Sequence, residues 1–438
     1  MAGLHLKSSE SHQEPTKLAT DDRALAEALF SELRLKTGDA SGINRICYSP
    51  AETKALEIIA AKAQSFGLDV SEDEASNLVI TLVGTRPDLP FIACGSHLDA
   101  VPCGGNYDGA AGVVAGLAVL GGLRANHIRP TRTLKLYGLR GEEGARFGRP
   151  YIGSSAVAGR LSAADLALKD PVTGQSLASC MSAVGADIGQ IARGTPLINK
   201  GAMGAWVELH IEQGPILIDR QHSVGIVTGI RGNIRHRSIT CVGDSGHSGA
   251  VPRSLRHDAV FACAQLITRL NEAWQLAENA GEDIVVTSGI FQTDREDQGV
   301  TKIPHSVNFS LDIRSQSQET LDVFYRKFTD ECQRISAEYG VRFELDSVVK
   351  VKPAIMDHGL VEILLATARE LEIDAAPLAS GAGHDAAVFA NFGIPSAMIF
   401  VRNQNGSHNP SESMEIEDFV RGVAVMRAML GKLAEQGA

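Results

Sequence analysis

The chain alternates two hydrophobic periods. Short unbroken apolar runs at residues 89–95, 133–139 and 396–401 read as buried strands, whereas 50–66, 113–123, 360–371 and 417–435 carry apolar residues at helical spacing. In the last segment, Phe419, Val423, Val425, Met426, Leu430 and Leu433 suit packing on a sheet. A first helix over 22–35 has Thr20 or Asp21 near its N-cap. Up to about Asp219, apolar strands alternate with helices. That pattern predicts an α/β fold with a mostly parallel sheet covered by helices on both faces.

Beyond this point the pattern changes. The alternating run 238–242 leads to a helix over 256–276, strands over 284–291 and 306–313, and a helix over 317–339. Such a unit reads as an inserted α+β lid domain, with a sheet edge or helix face suited to making a dimer. The chain then returns through a strand near 343–348. The expected division is a disordered polar tail over 1–20, a discontinuous catalytic domain over 21–220 and 343–438, and the lid over 221–342.

Chemistry-bearing residues cluster at the ends of the apolar runs. His97 and Asp99 follow one run, and Glu142 and Glu143 follow another. Asp108 lies among glycines and small residues that let backbone approach an ion. His210 sits on the strand "WVELHIEQGP" and His408 in "NGSHNPSE", just past the run 396–401. Each alone reads as a loop acid or a core histidine. Together they form a two-metal set, His97, Asp108 and His210 around one ion and Asp108, Glu143 and His408 around the other. Glu142 is left to move the proton of a water activated by the ions, and Asp99 to orient the His97 ring. Such ligands suit zinc first, with manganese, cobalt or nickel as alternatives. His384 and Asp385, in a glycine-rich turn, stay outside the metal set.

The segments "GSHLDAVPCGGNYDGAAGVVAGL", "GEEGARFG", "ELHIEQGPIL", "GHSGAVP", "SLDIRS", "SGAGHDA" and "GSHNPSE" resemble the N-carbamoyl-L-amino-acid hydrolases, β-ureidopropionases and allantoate amidohydrolases. These form the amidase branch of the aminoacylase and carboxypeptidase metallopeptidase clan. The resemblance runs from about Ala24 to about Leu433. It implies two divalent metals per subunit, a small ureido or amide substrate bearing a carboxylate, and a homodimer through the lid. It also implies roles for further residues: Gln213 toward the ureido or amide group, His247 toward the developing oxyanion, and Arg314 toward the substrate carboxylate. Thr301 stands where the family usually has an asparagine for that carboxylate. Arg231 replaces a frequent glutamine, and Arg402 a small residue or proline. If both arginines face the pocket, the site is more cationic than usual.

Composition sets outer bounds. With 438 residues, 44% hydrophobic, and mean hydropathy of −0.01, the chain can bury a large core in more than one domain. A net charge of −11 leaves no basic stripe for nucleic acid or an acidic membrane. Seven scattered cysteines without a Cys-x-x-Cys pair fit a reducing, cytoplasmic setting. No apolar run reaches the length of a membrane span, and the N-terminus lacks the apolar centre of a secretory signal. The reaction expected is hydrolysis of a C–N bond in N-carbamoyl-L-amino acids or close ureido analogues. The rivals are an N-acyl-amino-acid amidase or dipeptidase using the same ions, and a non-catalytic metal-binding homologue.

Overall fold

The computed structural model describes residues 21–295 and 298–436; the polar tail expected over 1–20 lies outside them. A nine-stranded sheet forms the larger body. Its strands run in the order Ala354–Ile355, Val224–Ile230, Ser396–Val401, Met203–Ile211, Phe91–His97, Leu134–Leu139, Leu78–Leu82 and Asp69–Glu72, with Ala375–Ser380 also paired to Val224–Ile230. The four strands at the centre, from Ser396–Val401 to Leu134–Leu139, are mutually parallel. Their unbroken apolar composition follows from burial on both faces: all six residues of Ser396–Val401 are buried.

Helices cover both faces. Ala110–Ala125 is buried from Ala110 through Gly122, which explains why it shows almost no polar side. Asp22–Thr37 begins at Asp21, whose carboxylate accepts the N–H groups of Arg23 and Ala24. Pro50–Ser65 has Ser49 as its cap and proline in its first turn. Ile416–Glu435 buries Phe419, Val423, Val425, Met426, Leu430 and Leu433.

A second, six-stranded sheet carries the helices Ala259–Asn279 and Gln318–Tyr339 and has its own apolar core, including Ile234, Phe309, Ile313 and Phe328. Strand pairing moves both expected boundaries. Val224–Ile230 lies in the larger sheet, antiparallel to Ser396–Val401, because every residue of it except Thr228 is a buried apolar or glycine position. Arg342–Leu345 and Val349–Val351 pair with Gly232–Val242 in the smaller sheet. The chain therefore crosses at Arg231 and again at 352–353, not near 221 and 342. The strand expected over 284–291 divides into Val285–Thr287 and Phe291–Thr293, with Gly289 at the break. A third small core joins Cys47 and Tyr48 to Phe147, Ile152 and the short helices up to Ile191; its helices are too short to leave a readable period.

Candidate dimetal centre

Parallel strands end on one edge of a sheet, and that edge is where ligands gather. His97 is the last residue of its strand and His210 the last but one of the neighbouring strand. Glu142 and Glu143 follow Leu134–Leu139, and His408 follows Ser396–Val401.

Asp108 is supplied by a loop and needs more support. The buried Arg45 guanidinium donates from Nε to the Leu98 carbonyl at 2.8 Å and from Nη1 to Asn106 Oδ1 at 3.1 Å. Glu412 Oε1 accepts the N–H groups of Tyr107 at 2.8 Å and Asp108 at 3.2 Å. Gly109, at φ 64°, turns the chain into the helix, and a Cβ there would lie 2.5 Å from the His97 ring. Asp99 fixes the acidic doublet by accepting the N–H of Glu142 at 2.9 Å and of Glu143 at 3.1 Å. The same carboxylate lies 3.3 Å from His97 Nδ1, while the Asp99 carbonyl is 3.1 Å from that nitrogen.

Asp108 faces two groups, one with each oxygen. Oδ1 lies 3.5 Å from His97 Nε2 and 3.2 Å from His210 Nε2, and those two ring nitrogens are 3.4 Å apart. Oδ2 lies 3.4 Å from His408 Nε2, which is 3.2 Å from Glu143 Oε2. Thus His97, Asp108 and His210 form one triad of donor atoms, and Asp108, Glu143 and His408 a second. Nitrogen and oxygen donors roughly 2.0–2.1 Å from a tetrahedral ion stand about 3.3 Å from one another, which matches these separations. Asp108 Oδ1 and Glu143 Oε1 are buried without a hydrogen-bond partner. An orphaned acceptor facing two imidazole nitrogens, as Asp108 Oδ1 does, fits a divalent cation.

Glu142 Oε2 reaches to 3.8 Å from His97 Nε2. Burial, reinforced by Glu143 and Asp385 against the pull of His97, lifts its carboxyl well above the usual range. Burial also opposes ionisation of Asp108, yet His210, His408 and His97 hold it well below the ordinary value. Asp108 and Glu143 push His408 up to about 10.

Other expected site residues divide between near and far. Gln213, at φ 64°, donates from Nε2 to Asp108 Oδ2 at 2.8 Å, and its Oε1 is buried without a partner. Arg314 comes from the smaller sheet to the glycine loop 381–383, donating to the Gly381 carbonyl at 2.7 Å and to Asp312 at 2.9 and 3.0 Å. His247 and Thr301 are exposed at the short antiparallel pairing of Gly246–His247 with Lys302–Ile303, His247 within it and Thr301 just before it. His247 Nδ1 accepts the Gly249 N–H at 3.2 Å, and the Thr301 carbonyl accepts the Ser248 N–H. The structure brings neither to the metal ligands. Arg231 and Arg402, the cations expected in the pocket, both already have acid partners. Arg231 is neutralised by Asp283 at 2.5 Å, and Arg402 turns to Asp418 on the last helix at 2.8 Å.

Several supporting residues are not apparent from the chain pattern. Ser407 Oγ bridges Asp108 Oδ2 at 2.5 Å and Glu412 Oε2 at 2.6 Å. Glu208 is fully buried, accepting from Ser96 Oγ and the Ala386 N–H, both at 2.8 Å. His384 packs edge-on to the His210 ring with centroids 4.5 Å apart, and Asp385 accepts from Ser154 at 2.5 Å. Their sequence signal is limited to adjacency: Glu208 and Glu412 lie two and four residues from histidine ligands. Arg45, far from every motif, gives none.

A parallel sheet whose strand ends present two donor triads sharing one carboxylate, with a further carboxyl beside them, defines a metal-dependent hydrolase of the α/β class. The chain belongs to peptidase family M20/M25/M40, which it matches over residues 93–432. It is 34% identical to an N-carbamoyl-L-amino acid amidohydrolase of Geobacillus stearothermophilus, over 90% of this chain and 94% of that protein. It is 31% identical to the allantoate amidohydrolase of Escherichia coli K12, over 91% and 94% respectively. A hydantoinase/carbamoylase family amidase from Burkholderia multivorans superposes with a TM-score of 0.87 at 26% identity, covering 96% of this chain and all of the other.

Proposed function

We propose that this protein hydrolyses the C–N bond of N-carbamoyl-L-amino acids or closely related ureido compounds, using two divalent ions. The observation that carries the reading is the pair of triads sharing Asp108 with Glu142 alongside. The amidohydrolase names of relatives at 34% and 31% identity support the ureido class. His97, Asp108 and His210 hold one ion, and Asp108, Glu143 and His408 the other. When bound, the ions polarise the substrate carbonyl and lower the pKa of water.

Glu142 takes the water's proton at its carboxylate and returns it to the leaving nitrogen. Its turn is held by Asp99 through the two backbone N–H groups, so the carboxyl is aimed before substrate arrives. Gln213 Oε1, open and buried, accepts an N–H of the ureido group. Arg314 has five N–H bonds, three of them committed; the rest grip the substrate carboxylate. His247 steadies the oxyanion from the lid domain. A carbamoyl substrate ends as the amino acid, ammonia and carbon dioxide.

Zinc is the first choice of metal, since nitrogen and oxygen donors about 3.3 Å apart suit a tetrahedral ion. A homodimer through the lid is supported by Phe261 and Leu276, 63% and 70% exposed on the helix Ala259–Asn279. A cytoplasmic setting is supported by seven unpaired cysteines. No helix among the described residues is long and apolar enough to cross a membrane. The test is ammonia release by metal-reconstituted protein from N-carbamoyl-L- and D-amino acids, N-carbamoyl-β-alanine and allantoate. Glu142→Gln lowers kcat by about 10²–10⁴ with metal content unchanged. Silence on every ureido compound, with turnover of N-acyl amino acids or dipeptides, would establish the rival amidase or dipeptidase.

A further inference from the structure

One side chain beside the proposed base is unused by the chemistry above. Tyr151 follows Pro150 and takes a left-handed backbone, φ 59° and ψ 40°, where bulky residues are uncommon. It is fixed from behind. Its N–H donates to the Glu142 carbonyl at 2.9 Å, and the next N–H, of Ile152, donates to the Gly141 carbonyl at 2.8 Å. The phenol therefore projects from the same turn that presents Glu142.

Its far end meets the glycine loop. A Cβ built on Gly383 would lie 1.6 Å from Tyr151 Oη, so only glycine admits the hydroxyl there. Two residues earlier, the Gly381 carbonyl accepts from Arg314 at 2.7 Å. The hydroxyl thus stands between the turn of Glu142 and the loop that holds Arg314, and among the described residues nothing hydrogen-bonds to it. Burial raises its pKa, as do Glu142, Asp385 and Glu143, while Arg314 lowers it. Four charged groups from three separate segments, 142–143, 314 and 385, act on this one oxygen.

We infer that the Tyr151 hydroxyl contacts the substrate and determines specificity, donating a hydrogen bond to the substrate carboxylate beside Arg314. This rests on the ureido-hydrolase reading, which puts the scissile carbonyl at the metals and the carboxylate at Arg314. The left-handed turn at Tyr151 holds the phenol against the glycine loop, and a neutral phenol donates to a carboxylate without adding charge.

The test compares wild type, Tyr151→Phe and Tyr151→Leu on an N-carbamoyl amino acid, with the matching alkylurea, which lacks the carboxylate, as a competitive inhibitor. Both variants raise KM about tenfold or more, as loss of a hydrogen bond to a charged group predicts. In Tyr151→Phe, kcat stays within about twofold and the alkylurea inhibition constant is unchanged, since only the carboxylate contact is lost. Metal content and melting temperature matching wild type show that Tyr151→Phe is folded. An unchanged KM in Tyr151→Phe, or an alkylurea constant that rises in parallel, overturns the inference while leaving the ureido-hydrolase reading intact. Wild type that releases no ammonia from any ureido compound overturns both.

Discussion

The sheet edge that bears the two donor triads and the two-stranded ladder that bears His247 are built differently. At the edge, His97, Asp108 and His210 are almost fully buried, and each is tied to backbone or to a second side chain. Asp108 alone is held through Arg45, Asn106, Gln213, Ser407 and Glu412. The ladder has two-residue strands and an exposed His247, whose Nδ1 accepts only the Gly249 N–H two residues on. The difference teaches that the two donor triads are fixed by the fold, whereas His247 is held only locally. A centre of fixed geometry needs rigid support, and a group proposed to meet the oxyanion from another domain can sit on a lightly held segment.

The largest expected break is at the shared carboxylate. Asp108→Ala removes a donor from both triads at once, so both ions are lost together by elemental analysis and activity falls to background. Loss of one ion with retention of the other would show that the carboxylate does not serve two sites. His247→Ala sharpens the comparison from the other side, lowering kcat by about 10²–10³ with metal content and melting temperature unchanged. A parallel fall in metal content would place His247 in the centre after all.

Glu412→Gln tests support one step removed from the ions. It lowers metal affinity about 10–100-fold by competition with a chelating dye, because the loop N–H groups of Tyr107 and Asp108 lose their charged acceptor. Arg45→Met is smallest in activity and clearest in stability. It leaves the Leu98 carbonyl and Asn106 unsatisfied and costs about 1–3 kcal/mol in urea unfolding of the metal-free protein. An Arg45→Met variant as stable as wild type would show that this buried cation contributes nothing to the loop.

Much of this is readable from the chain. The runs before His97, Glu142 and His408 are buried strands of the predicted kind, and ligands at strand ends can be paired with unbroken apolar runs and loops of small residues. The residues placed in each triad by that argument are the ones whose donor atoms converge. The hydrophobic pattern misplaces the crossings between the two sheets for a physical reason. Val224–Ile230 is apolar because it lies inside the larger sheet, yet it directly precedes the lid in sequence and groups with it on pattern alone. Arg231 and Arg402 read as pocket charges since sequence shows a cation without showing its partner; Asp283 and Asp418 lie 52 and 16 residues away.

What the sequence determined by itself was local: the strand and helix periods, the residue types able to bind a divalent ion, and a spare glutamate beside a ligand. These can be read without coordinates because side-chain chemistry and periodicity are short-range properties. Only the tertiary structure decided which oxygen of Asp108 faces which histidines, which arginines are already neutralised, and that Tyr151 reaches Gly383 across 232 residues of chain. Those depend on contacts between segments whose separation in sequence carries no record of their distance in space.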